Sequence, residues 1–101
     1  MIKHIVVWKL HEETPEHGSK EQAAIKGKAL LESLVSKVPT LLKAEVGINI
    51  NPDNNNFDLA LYSEFADWNG LEQYIEHPEH KKVAQFIGEI RSGRSAVDYE
   101  F

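Results

Sequence analysis

Residues 2–10, Ile2-Lys3-His4-Ile5-Val6-Val7-Trp8-Lys9-Leu10, constrain the fold most, because the run is apolar on both sides of a pleat. Its β-branched and aromatic side chains favour a strand over a helix. Ile2, His4, Val6, Trp8 and Leu10 alternate with Lys3, Ile5, Val7 and Lys9, which puts apolar groups at mid-strand on both faces. Such a strand needs cover on each side. A chain of 101 residues, 42% hydrophobic and 27% charged, builds one core and excludes two independent domains. A chain of this size buries roughly 60–70% of its unfolded surface, so cover for the second face is expected from a partner chain.

The rest of the chain supplies the first cover. Residues 12–18 are polar, hold Pro15 and Gly18, and read as a loop. Ser19 and Gln22 then form a capping box for a helix whose apolar stripe is Ala24, Leu31, Leu34, Val35 and Val38. Lys20, Lys26, Lys28, Glu32 and Lys37 are expected in solvent, and Pro39 ends the helix by disfavouring helical geometry at Val38. Residues 43–50 alternate Ala44, Val46, Ile48 and Ile50 with polar or small residues, as in a half-buried strand. The run 51–56, rich in Asn and Asp, suits a hairpin loop. Residues 57–65 give a third strand with Phe57, Leu59, Leu61 and Phe65 on one face and Asp58, Ala60, Tyr62 and Glu64 on the other.

Asp67 is placed to cap a short helix carrying Leu71, Tyr74 and Ile75. Pro78 ends that helix at His77 and begins another, with Val83, Phe86, Ile87 and Ile90 as its stripe and Gly93 as its stop. Residues 94–101 alternate again and make the fourth strand. Trp8 and Trp68 read as packing residues. The order β-α-β-β-α-β is that of an α+β, ferredoxin-like fold with an antiparallel four-stranded sheet. Both helical regions then cover one sheet face. Ile5, Val7, Ala60 and Tyr62 are left on the other, which predicts a homodimer joined sheet to sheet.

Composition narrows function. Eleven Lys and Arg against sixteen Asp and Glu give a net charge of −5 with no basic run, which excludes nucleic acid and anionic membrane as partners. The absence of cysteine removes disulfides, thiolate nucleophiles and Cys-based zinc sites, and a cytoplasmic location is the expectation. Residues 1–10 carry Lys3, His4 and Lys9 and match neither a signal peptide nor an anchor.

His4, Tyr74, His77 and His80 are the candidates for chemistry. His4 lies on the strand face the helices should cover, as a base or as a hydrogen-bonded core residue. In His77-Pro78-Glu79-His80 the helix break puts both imidazoles near a helix N-terminus, which favours their neutral form. Tyr74, one turn earlier, is placed to meet His80 across the kink. An imidazole base beside a phenol donor suits proton removal next to a carbonyl. The alternative is structural: His77 caps, Pro78 kinks, and Tyr74 fills the core with a bonded hydroxyl. A metal reading would use His77 and His80 with Glu76 or Glu79, but no HExxH spacing supports it, so no metal and no cofactor are expected. His11 and His17 read as solvated, and Gly88 and Gly93 make no phosphate loop.

The opening Met1-Ile2-Lys3-His4-Ile5-Val6, the central Phe57-Asp58-Leu59-Ala60-Leu61-Tyr62, the His77-Pro78-Glu79-His80 element and the closing Ala96-Val97-Asp98-Tyr99 together resemble the stress-responsive α/β-barrel (Dabb) family. The resemblance implies a ferredoxin-like protomer pairing into a dimeric α/β barrel. Many members have no established activity; one plant member closes a linear polyketide by aldol condensation without cofactor or metal. Carried onto this chain, that resemblance implies His80 as general base, Tyr74 as oxyanion donor and His4 as a further catalytic histidine. This chain has Leu59 where that cyclase has another histidine, so the pocket is less polar. The resulting expectation is a small apolar or carbonyl-bearing ligand held between helices and sheet, with Val6, Leu59 and His77 as ligand-binding residues. A cyclase or aldolase-like enzyme and a monooxygenase of the dimeric α+β barrel type are the alternatives.

Overall fold

The computed structural model describes residues 1–101. Strand β1 (Ile2–Leu10) lies inside a four-stranded sheet of order β4-β5-β1-β6, with β4 (Lys43–Ile48), β5 (Leu59–Phe65) and β6 (Arg91–Glu100). Every pairing is antiparallel: Val6 faces Leu61 on β5 and Ala96 on β6, and Val46 on β4 also faces Leu61. The architecture is the ferredoxin-like one expected from the order of elements. Helices α1 (Lys20–Ser33), α2 (Trp68–Glu76) and α3 (Pro78–Ile90) cover one face of the sheet. Burial alternates strictly along β1 and β5, so Ile2, His4, Val6, Trp8, Leu10, Leu59, Leu61, Ser63 and Phe65 all point into the helical layer.

Local chemistry sets the helix starts. The Ser19 hydroxyl accepts from the Gln22 N–H at 3.2 Å, while the Gln22 carbonyl oxygen accepts from the Ser19 N–H at 3.0 Å, closing the capping box. Asp67 caps α2 by accepting from Gly70 N–H at 2.8 Å, and His77 caps α3 by accepting from Glu79 N–H at its Nδ1. Gly27 lets α1 approach closely, since a Cβ there would sit 3.3 Å from Leu59 and 3.4 Å from Ile87.

Several expectations need correction. The loop at 12–18 contains a small hairpin, β2 (Glu13–Thr14) and β3 (Gly18–Ser19), turned by Gly18 at φ 78°. Helix α1 ends at Ser33, before Pro39, because Leu34–Ser36 tighten into a 3₁₀ turn, and this swings Val35 outward to 41% exposure. The second strand stops at Ile48, leaving Ile50 98% exposed at the mouth of the hairpin. Phe57, Trp68 and Ile75 are also largely outside the core. Gly93 lies within β6, which starts directly after Ile90. Three expected solvated groups have structural partners: the Lys28 ammonium donates to the Val46 carbonyl at 2.6 Å, Glu32 accepts from the Val46 N–H at 3.1 Å, and Lys20 pairs with Glu12 and with buried Asp58. Asp58 in turn accepts from Leu10 N–H at 2.7 Å, tying the end of β1 to the start of α1.

The other sheet face carries no helix. Ile5, Val7, Ala60 and Tyr62 are half-buried there beside exposed Val97 and Tyr99, as the alternation along the strands predicts. No helix is long and apolar enough to cross a membrane.

Candidate functional site

Three side chains, one from β1 and two from the consecutive helices α2 and α3, meet beneath the helical layer. His4 is fixed by β1, Tyr74 by the last turn of α2, and His80 by the first turn of α3. The kink at Pro78 brings the Tyr74 and His80 rings to 4.4 Å, and His4 lies 6.3 Å from Tyr74. All three line one cavity of about 170 Å³. Val6 and Trp8 of β1, Leu31 of α1, Leu61 of β5, and Ala84 and Ile87 of α3 supply most of the remaining wall, and Arg91 and Arg94 complete it from β6.

The two imidazoles have hydrogen-bond partners within the chain, and the phenol has none. His4 is buried, and its Nδ1 bonds to the Asp98 carboxylate on the paired strand β6. An ionised carboxylate only accepts, so the His4 Nδ1 carries a proton and donates it to Asp98. The same logic applies to half-buried His80: its Nδ1 lies 3.2 Å from the Ile75 carbonyl oxygen and must donate, leaving Nε2 as the basic atom. Burial holds the His80 pKa below the ordinary histidine value of 6.5; the Ile75 bond opposes this, and the nearby charge of Arg94 reinforces it. The helix N-terminus, which the sequence points to, is not the main cause. Tyr74 is 1% exposed and burial alone raises its pKa well above the usual phenol range, so it stays a donor at neutral pH. Its hydroxyl takes part in no hydrogen bond within the chain, yet it is not sealed in. It therefore opens onto the cavity.

Of the residues singled out in the sequence, His4, Val6, Tyr74 and His80 share this cavity. Leu59 and His77 do not line it. Leu59 is buried against α1 opposite Trp8, and its same-face neighbour Leu61, opposite Val6, takes the lining position. His77 has its Nδ1 committed to the α3 cap. The residues of the metal alternative do not come together: His77 and His80 do not converge with Glu76 or Glu79, and the donors that do converge are Glu16, His17 and Glu89. His17 is accordingly not a solvated loop residue; its ring packs on Phe86 at 4.8 Å and its Nε2 lies 2.7 Å from Glu89. Sequence reasoning missed Asp98, Arg91 and Arg94. The signal for the arginines is that they are the chain's only two, three residues apart at the α3–β6 junction.

Comparisons with known proteins agree with this geometry. The model of the stress responsive A/B barrel domain family, Dabb, matches residues 2–101. An uncharacterized protein of Streptomyces coelicolor is 30% identical over 101 residues, which is 100% of both chains. A dimeric protein of ferredoxin-like fold and unknown function from Bacteroides fragilis is similar at 38% identity and a TM-score of 0.86, over 99% of this chain and 95% of that one. A dimeric ferredoxin-like protein from Thermobifida fusca shares the fold at 22% identity and a TM-score of 0.81, over 99% of this chain and 90% of that one. With a family match that runs through every strand and helix around the cavity, this chain belongs to the stress responsive A/B barrel domain family.

Proposed function

We propose that this chain works as a homodimer that binds a small apolar or carbonyl-bearing ligand in the cavity between helices and sheet. The Tyr74 hydroxyl carries the reading: on a side chain that is 1% exposed, it has no partner in the chain and opens onto a space walled mainly by apolar side chains. A donor that opens onto a mostly apolar hollow is one that an acceptor on a ligand would satisfy. The volume sets the size. About 170 Å³ is close to the roughly 150 Å³ that admits benzene and below the roughly 300–1,000 Å³ typical of drug-sized ligands. That weighs against a long polyketide or a haem group. Dimerisation is supported by the half-exposed Ile5, Val7, Ala60 and Tyr62 face and by the dimeric state of the similar Bacteroides fragilis protein.

Titrating ¹⁵N-labelled protein with acetophenone tests the binding. Shifts should centre on His4, Tyr74, His80 and Ala84. Scattered shifts, or none at millimolar ligand, would overturn the reading.

A second reading has a specific observation in its favour. His80 Nε2 is an unprotonated base at neutral pH, 4.4 Å ring to ring from a phenol donor. In this reading His80 takes the α-proton of a bound ketone, Tyr74 donates to the developing enolate oxygen, and His4, oriented by Asp98, completes the catalytic set. In D₂O the wild type should exchange the acetophenone methyl protons above the buffer rate, and His80→Ala should not. Equal exchange by both proteins excludes His80 as the base.

A further inference from the structure

Resting on the binding reading above, the next question is what kind of carbonyl compound the cavity selects. The chain contains two arginines, and both line this cavity. They lie where β6 leaves α3, exposed, with Arg94 opposite Trp8 and Arg91 opposite Leu10 on the helical side of the sheet. In a chain with sixteen carboxylates, neither arginine belongs to any of the ion pairs, which are made by Lys20, Lys28, Lys37, Lys81, Lys82, His4 and His17. Of the two carboxylates on the same face of β6, Asp98 is committed to His4, and Glu100 lies opposite Ile2 at the other end of the strand. Two guanidinium groups are thus left without an anion at the rim of a small, mostly apolar hollow. A guanidinium is weakly hydrated and presents a planar fork of donors that matches a carboxylate.

We propose that the ligand is a small carboxylate: its apolar body and carbonyl enter the cavity towards Tyr74, and its anionic end is held at the rim by Arg91 and Arg94. A 2-oxo acid with a body about the size of a phenyl ring has the right dimensions. A carboxylate held at the rim leaves the adjacent carbonyl as the first polar group inside.

Calorimetry with benzoylformate and its neutral methyl ester tests this, using wild type and the double variant Arg91→Gln with Arg94→Gln. Wild type should bind the acid about tenfold or more tightly than the ester, and the preference should shrink in 0.5 M salt. In the double variant the acid should bind no more tightly than the ester, and an unchanged far-ultraviolet circular dichroism spectrum and thermal midpoint show the variant to be folded. Equal affinity of wild type for acid and ester, or a preference that survives in the double variant, overturns the anionic assignment and leaves the binding site standing. Failure of both compounds to bind wild type overturns the site itself.

Discussion

Replacing Tyr74 by phenylalanine removes one oxygen from a side chain that is 1% exposed and whose hydroxyl has no partner in the chain. Two effects follow with opposite signs. A fully buried unpaired hydroxyl costs about 1–3 kcal/mol in protein mutational data; this one opens onto the cavity, so its removal should stabilise the fold by less than that. The cavity limits that gain: at about 170 Å³ it has room for roughly five waters of about 30 Å³ each, which would partly solvate the group. A stabilisation between zero and about 1 kcal/mol is expected, raising the thermal midpoint by up to about 4–8 °C. Ligand binding should move the other way. A lost hydrogen bond worth about 0.5–1.5 kcal/mol weakens a carbonyl ligand roughly 2- to 13-fold. Thermal unfolding by circular dichroism and titration with acetophenone read the two effects separately. If Tyr74 were a core residue with a satisfied hydroxyl, Tyr74→Phe would lose about 1 kcal/mol and leave binding alone. A midpoint lowered by several degrees would refute the reasoning.

The capping box on α1 should contribute measurably to stability: Ser19→Ala is expected to lose about 1 kcal/mol, seen as a lower urea midpoint at unchanged m-value. The burial of His80 predicts a pH dependence. Its folded pKa lies below 6.5, so between that pKa and 6.5 the unfolded chain binds more protons, and stability falls as the pH drops through this window. His80→Gln should remove that part of the slope in urea titrations run from pH 7.5 downwards, and an unchanged slope would count against the cause. On the open sheet face, Ile5→Glu puts a charge where a partner's apolar surface is expected. The wild type should sediment at twice its 11.5 kDa, while the variant should sediment as a folded single chain.

What the sequence reveals well is whatever neighbouring residues decide among themselves. The bounds of β1, the Ser19–Gln22 box, the Asp67 cap and the His77-Pro78 kink all depend on contacts within a few positions, and each is found where the residues place it. The meeting of Tyr74 with His80 was legible for the same reason. Periodicity shows which side chains share a face but not how far the cover extends, so Val35, Ile50 and Ile75 look like core residues and are exposed. The cavity wall draws on β1, α1, β5, α2, α3 and β6. Register across β1 decides that Leu61 rather than Leu59 reaches it, and that Asp98 meets His4. Arg91 and Arg94 enter the site only because β6 starts directly after Ile90, earlier than Gly93 suggests.

A crystal structure of the protein soaked with acetophenone tests most directly whether His4, Tyr74 and His80 enclose a ligand site. The ring should lie among Leu31, Leu61 and Ile87, with its oxygen about 2.6–3.2 Å from the Tyr74 hydroxyl. A hollow filled by protein side chains, or a ligand seated elsewhere with Tyr74 bonded to a neighbouring residue, would contradict it.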